Sequence, residues 1–247
     1  MNWVFISDLH LDSTRQDLLQ AFENLLIREA LAPDKLEGLY ILGDLCEVWV
    51  GDDDDSELTA RLKIALKTIS QKVPVFFLPG NRDFLLGQKF ANSAGVQILD
   101  DPCTIELAGT QILLAHGDAY CTDDHEYQKL RKVLRSEQFK TQVLSQSLPE
   151  RRELAASLRL ESTRKNANKA NNIMDVNPQD ISRAFVQHGV DHFIHGHTHR
   201  PGIHTTRIDD EQKFRYVLGD WNTCGWLLRF DGQSFRMECF SIAERPA

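Results

Sequence analysis

Five short motifs in the 247-residue chain carry seven side chains of the kinds that ligate divalent metals. They are Asp8-Leu9-His10, Gly43-Asp44, Gly80-Asn81-Arg82-Asp83, His116-Gly117-Asp118 and Gly196-His197-Thr198-His199, and each follows an apolar run. The ligand set would be Asp8, His10, Asp44, Asn81, His116, His197 and His199. Carboxylate, imidazole and carboxamide without thiolate favour Mn²⁺, Fe²⁺, Zn²⁺ or Mg²⁺ over soft metals. Seven ligands exceed what one tetrahedral ion needs. Two ions sharing Asp44 would use them economically, and such a pair, ~3.5–4 Å apart, holds an attacking hydroxide against a phosphorus centre. Taken singly, each motif reads as an ordinary turn; the conjunction and order point to a two-metal hydrolytic centre.

The elements around the motifs must bring them together. Trp3–Ser7, Leu39–Leu42 and Val75–Leu78 read as short buried strands. Between them, Thr14–Leu31 and Ser56–Ser70 carry helical apolar spacing, with Ser56 as an N-cap. A short helix is predicted over Leu85–Ala94, then paired strands Ile105–Leu107 and Gln111–Ala115 turning at Gly109-Thr110. This βαβαβ opening argues for an α/β fold, in which sites collect beyond the carboxyl ends of the strands. On an extended chain residues two apart share a side, so Asp8 and His10 can reach one ion, and His197 and His199 repeat the spacing in an extended turn. From about residue 122 to 175 the chain turns charged and helical, with Pro149 separating two helices; this stretch reads as a helical insertion in one 247-residue domain. A helix over Pro178–His188 and strands near Asp191–Ile194, Ile203–Ile208, Phe214–Leu218, Trp226–Phe230 and Phe235–Phe240 complete the chain.

Bulk composition narrows the partners. A formal net charge of −8 argues against nucleic acid held by a general basic surface. Five scattered cysteines without a Cys-x-x-Cys pair suggest reduced thiols in a cytoplasmic compartment. The first residues lack a signal peptide's basic start, and no apolar stretch approaches the ~20 residues of a membrane-spanning helix.

With these motifs in this order, the chain resembles the calcineurin-like metallophosphoesterases, a two-sheet α/β sandwich flanked by helices. Carried over, the resemblance implies that one ion takes Asp8, His10, Asp44 and His199, and the other Asp44, Asn81, His116 and His197. It departs from most of that superfamily at Arg82, where a histidine able to donate a proton usually stands. Arginine, with a pKa above ~12, cannot act as an acid. An alkoxide leaving group would be poorly served, whereas a phosphate monoester, with a pKa of about 6, leaves a diphosphate unaided. Arg82 could instead clamp a phosphate oxygen.

Longer strings sharpen the resemblance. Asp8-Leu9-His10-Leu11, Trp49-Val50-Gly51-Asp52-Asp53-Asp54, Gly80-Asn81-Arg82-Asp83-Phe84-Leu85-Leu86-Gly87, Cys121-Thr122-Asp123-Asp124, Ile173-Met174-Asp175-Val176-Asn177 and His195-Gly196-His197-Thr198-His199-Arg200-Pro201 are similar to the UDP-2,3-diacylglucosamine diphosphatases of lipid A biosynthesis. The likeness runs from Asp8 to about Trp221. It implies hydrolysis of a lipid-linked UDP-sugar to UMP and 2,3-diacylglucosamine 1-phosphate, with a water activated by two Mn²⁺ ions attacking the phosphorus nearer uridine. It further implies a peripheral location on the cytoplasmic face of the inner membrane. Catalytic roles fall to Asn81, Arg82 and His197. Substrate contacts fall to Asn81, Arg82, Asp124, Ser162, Asn166, Lys169 and His197, with Tyr127 a further candidate; a monomer is expected. Ser162, Asn166 and Lys169 share one helical face.

The apolar residues Tyr127, Leu130, Val133, Leu134, Phe139, Val143 and Leu144 would pack the insertion or line a channel for acyl chains. Lys140, Arg151, Arg152, Arg159, Arg164 and Lys165 would form a basic rim suited to anionic lipid, or simply an exposed charged helix. Asp52–Asp55 reads as a solvated approach to a helix, and the similar string in the resembled family implies a role behind the metal ligands as the alternative. Asp83 and Asp118 are expected to orient ligand imidazoles, and His195 either to stand behind the ligands or to be structural. A different phosphoesterase and a catalytically silent scaffold compete with this reading; Arg82 and the insertion count against the first, and the complete ligand set against the second.

Overall fold

The computed structural model describes residues 1–32, 35–166 and 175–242, except the side chains of residues 162, 163, 165 and 166. The chain opens with β1 (Trp3–Ile6), α1 (Gln16–Leu31), β2 (Gly38–Ile41), α2 (Glu57–Ser70), β3 (Val75–Phe77), α3 (Gln88–Ala94) and β4 (Val96–Ile98). The hairpin β5 (Cys103–Leu107) and β6 (Thr110–Leu114) follows. Next come α4 (His125–Leu134), α5 (Glu137–Leu144), α6 (Leu148–Asn166) and α7 (Pro178–His188). The last strands are β7 (His192–His195), β8 (Gly202–Ile208), β9 (Glu211–Val217), β10 (Cys224–Phe230) and β11 (Phe235–Ser241).

Two sheets result, in the orders β11-β10-β1-β2-β3-β4 and β5-β6-β7-β9-β8. Strands β1 to β4 pair in parallel, as βαβ connections require, and β10 and β11 extend the sheet antiparallel. Alternation along β1 assigns the layers. Val4 and Ile6 face α1, α2 and α3, while Phe5 points between the sheets with Tyr40, Ile112, Ile194 and Leu228. A third cluster packs α7, through Ile181, Ala184 and Phe185, on Leu113 and Phe193 of the second sheet. The product is an α/β/β/α sandwich. Ser56 caps α2 by accepting from the Thr59 amide, as the sequence suggests.

Several boundaries differ from expectation. Strand β4 is three residues long, following Gly95 in the left-handed region (φ 71°), and its brevity leaves no alternation to read. The hairpin turns on Ala108 and Gly109, both with positive φ, so Thr110 already belongs to β6. Among the described residues the insertion holds three helices. Pro149 sits in the first turn of α6, where its missing N–H is not needed. A second break precedes α5, whose N-cap is Ser136. Among the described residues no helix is long and apolar enough to cross a membrane.

Candidate metal centre

Each site loop leaves the carboxyl end of a strand, and neighbouring loops are stitched together by backbone bonds. The amides of Asp8, His10 and Leu11 donate to the carbonyls of Gly43, Asp44 and Leu45. The Trp221 amide reaches the Asp8 carbonyl, and the Gly196 amide reaches that of His116. Within these loops Asp8, His10, Asp44, His197 and His199 all have positive φ, between 49° and 67°. The expectation of extended backbone at the two i, i+2 pairs is therefore corrected. The side chains converge because each loop coils through the left-handed region, at a local cost of order 1–3 kcal/mol per residue that the surrounding fold must impose.

The seven side chains fall into two touching sets. In the first, His10 Nε2 lies 3.2 Å from His199 Nε2 and 3.9 Å from Asp44 Oδ2, and His199 Nε2 lies 3.5 Å from Asp8 Oδ1. In the second, His116 Nε2 lies 3.6 Å from Asp44 Oδ1 and 2.9 Å from Asn81 Oδ1, and His197 Nδ1 lies 2.8 Å from the same Asn81 oxygen. Asp44 turns one oxygen to each set. Asp8, His10 and His199 bring ligand atoms within 4.8 Å of one another, as do Asp8, Asp44 and His116.

Electrostatics supports cations here. Burial alone would depress His116, but Asp44, Asp8 and Asp118 raise it to about 9, so the pocket holds positive charge even in a fully buried place. Burial would raise Asp8; the imidazoles of His199, His116 and His10 hold its carboxyl well below the usual range instead. Burial and then His116 push His197 down to about 4. The Nδ1 of His116 faces the Leu42 carbonyl oxygen at 2.9 Å, which can only accept. With that proton held on Nδ1, Nε2 is the nitrogen left to exchange its proton for an ion. Crowded electron-pair donors around a shared carboxylate fit divalent cations.

Glycines make the crowding possible. A Cβ on Gly80 would lie 2.2 Å from Asp44 Oδ1 and 2.3 Å from Asp44 N. Gly43, at φ 85°, would meet Gly80 Cα at 2.5 Å.

The outer partners differ from expectation. Asp83 orients no imidazole. Fully buried, it accepts from the amides of Leu45 (2.7 Å), Gly80 (2.8 Å) and Asp44 (3.3 Å), clamping two site loops; burial and Asp44 push its carboxyl up to about 6. Asp118 likewise faces no ligand ring. Its Oδ2 accepts from the Tyr127 hydroxyl (2.7 Å) and Arg131 Nε (2.9 Å). The imidazole-orienting carboxylate is Glu47, whose Oε2 lies 2.9 Å from His10 Nδ1. Sequence reasoning missed it, since one glutamate in a loop carries no signal of its own. His195 is fully buried and meets Arg215 at 3.0 Å, a packing role.

The remaining candidates are placed as follows. Tyr127 stacks on His197, ring centroids 5.9 Å apart, with its hydroxyl committed to Asp118. Asp124 caps α4 by accepting from the Tyr127 amide. The Arg82 amide donates to Asp44 Oδ1 at 2.8 Å, and its buried Nε has no partner among the described residues. Lys169 lies outside the described residues, as do the side chains of Ser162 and Asn166.

The insertion is fastened to the core by charge. Arg131 bonds Asp118 and, at 2.9 Å, Asp101, whose other oxygen accepts the His116 amide. The aspartate run approaches α2 with Asp53 and Asp55 exposed, as expected, but Asp52 also caps α3 by accepting from the Gly87 and Phe90 amides. Asp53 pairs with Arg151, and Asp54 and Asp55 pair with Arg152. The expected basic rim is thereby largely neutralised on this side. Arg131→Ala is expected to destabilise the fold by about 3 kcal/mol, because among the described residues it leaves two buried carboxylates with Arg135, at 3.8 and 3.7 Å, as their remaining ion-pair partner. Urea unfolding reads the loss, and a change below 1 kcal/mol would contradict the clamp.

Comparison with known proteins identifies the family and the fold. A profile of the calcineurin-like phosphoesterases matches residues 1–201. The UDP-2,3-diacylglucosamine hydrolase of Stenotrophomonas maltophilia (strain R551-3) is 44% identical, over 98% of this chain and 99% of its own. That of Pseudomonas fluorescens (strain SBW25) is 42% identical, over 97% and 95%. A solved archaeal phosphodiesterase shares the fold, with a TM-score of 0.51 at 13% identity, over 97% of this chain and 100% of that one.

Proposed function

The chain belongs to the calcineurin-like phosphoesterase family, and from that premise we propose that it hydrolyses the diphosphate of UDP-2,3-diacylglucosamine in lipid A biosynthesis. The products are UMP and 2,3-diacylglucosamine 1-phosphate. One observation carries the chemistry: seven ligands in two touching sets that share Asp44. The relatives named above, similar over nearly their whole length, support the substrate.

Asp8, His10, Asp44 and His199 would hold one ion, and Asp44, Asn81, His116 and His197 the other, with Mn²⁺ proposed from among the divalent ions that this ligand set suits. When bound, two such ions supply Lewis-acid polarisation of phosphoryl oxygens and acidify water. The protein supplies the rest. Asp44 is fixed by the Arg82 amide and by the Asp83 clamp on its loop. The Arg82 guanidinium would clamp a substrate phosphate oxygen, where it stabilises developing charge. Arg82 gives no proton, and a departing sugar phosphate needs none. His197 orders the Asp8 carboxylate through its amide, at 2.9 and 3.1 Å.

The insertion suits the lipid end. Leu130, Val133, Leu144 and Leu160 remain exposed on α4, α5 and α6, an apolar surface suited to acyl chains at ~0.8 kcal/mol per buried methylene. In the same reading the enzyme acts as a monomer, peripherally on the cytoplasmic face of the inner membrane. Ser162, Asn166, Lys169 and Asp124 would contact the substrate's sugar and phosphate. Ser162→Ala with Asn166→Ala should raise KM about tenfold with kcat little changed; an unaltered KM would leave that helix as packing. The activity itself is tested by UMP release from the diacylated UDP-sugar with and without Mn²⁺. Metal-dependent release is expected. Robust turnover of simple phosphodiesters, with none of this substrate, would overturn the reading.

A further inference from the structure

Glu47 connects two features that the proposed reaction treats separately. One of its oxygens lies 2.9 Å from Nδ1 of the candidate ligand His10. The other pairs with Arg159, far along the chain on α6. The Glu47 backbone is fixed by the loop stitching, its amide donating to the Leu11 carbonyl at 3.0 Å. Helix α6 is held to the same stretch of chain by two further arginines. Arg151 donates to the Val50 carbonyl (2.6 Å) and to both oxygens of Asp53. Arg152 reaches Asp54 and Asp55, each at 2.6 Å. Three cations of one insertion helix thus land within residues 47–55, and one of them grips the carboxylate behind a metal ligand.

The chemistry of that grip has a direction. With a Glu47 oxygen 2.9 Å behind Nδ1, the His10 ring presents Nε2 to His199 and Asp44, where an ion would sit. A carboxylate behind a ligand imidazole fixes its tautomer and raises its basicity, and losing such a partner typically costs 10–100-fold in metal affinity. Glu47 is itself held by Arg159, so its position depends on α6 being seated. Coupling of this kind is reciprocal: whatever strengthens metal binding by seating α6 must also seat α6 more firmly when metal binds.

We propose that Glu47 is a positioning residue for His10 and that, through Arg159, it couples occupancy of the His10 metal position to the docking of insertion helix α6. The proposal rests on the two-ion reading of the centre. Metal-free protein is titrated with Mn²⁺, following the free ion by electron paramagnetic resonance, and backbone hydrogen exchange over residues 151–159 is measured with and without the ion. Two ions should bind the unaltered chain, and their binding should slow exchange in α6. Glu47→Ala should weaken one of the two ions about 10–100-fold and abolish the slowing. Glu47→Gln, which keeps an acceptor oxygen for Nδ1–H without the charge, should fall between, and it stands in if the alanine variant folds poorly. Arg159→Gln should reduce the slowing more than it reduces affinity. A merely structural glutamate would lower the melting temperature of metal-free protein and leave both readouts unmoved. Two ions bound with unaltered affinity by Glu47→Ala, or α6 exchange indifferent to Mn²⁺ in the unaltered chain, would overturn the coupling alone. Fewer than two ions on the unaltered chain would overturn the metal reading, and the coupling with it.

Discussion

Asp44→Ala is expected to lower turnover at least about a thousandfold at saturating Mn²⁺, equivalent to ~4 kcal/mol of transition-state stabilisation. The size follows from its place. Asp44 Oδ2 faces His10 and Oδ1 faces His116, so one truncation takes a ligand from both candidate ions. No neighbour can substitute. Asp83, a carboxylate of the neighbouring loop, already accepts three amides. The fold should survive, because the site loops are tied by backbone bonds that do not use the Asp44 side chain. Activity and far-ultraviolet circular dichroism of the same preparation separate the two effects. More than a tenth of the original rate in a folded variant would contradict a shared carboxylate.

Gly80→Ala should be nearly as damaging, by a steric route. The added methyl would sit 2.2 Å from Asp44 Oδ1 and 2.3 Å from Asp44 N. Those atoms belong to a ligand and to backbone, neither of which can swing aside like a long side chain. The loop after β3 must therefore move away from the loop after β2, and Asn81 goes with it. A loss of at least about a hundredfold in kcat is expected, in the range seen when catalytic groups are misplaced by roughly 1 Å. Bound metal should fall from two ions per chain. A rate within fivefold of the original, with full metal content, would show that the approach of the two loops is not needed.

The chain discloses its architecture more readily than its inner wiring. Strands β1, β2 and β3 are legible because their apolar runs end at Gly or Asp, and α1 and α2 because Leu18, Phe22, Leu25, Leu62, Leu66 and Ile69 recur at helical spacing and do line the core. The ligand residues are legible by type and order. How they converge is not: aspartate and histidine enter the left-handed region at Asp8, His10, Asp44, His197 and His199 with no change of residue type to announce it. Gly80 reads as the end of a strand, whereas its function is to let Asp44 approach. The aspartate run at 52–55 looks solvated because its partners, Arg151 and Arg152, lie about a hundred residues downstream. Glu47 is hidden for the same reason, since pairing with both His10 and Arg159 exists only in three dimensions.

Anomalous scattering from a crystal grown with Mn²⁺ tests the shared-carboxylate centre most directly. Two peaks about 3.5–4 Å apart are expected, one among Asp8, His10 and His199, the other among Asn81, His116 and His197, with Asp44 between them. A single peak, or two peaks that do not share Asp44, would contradict it.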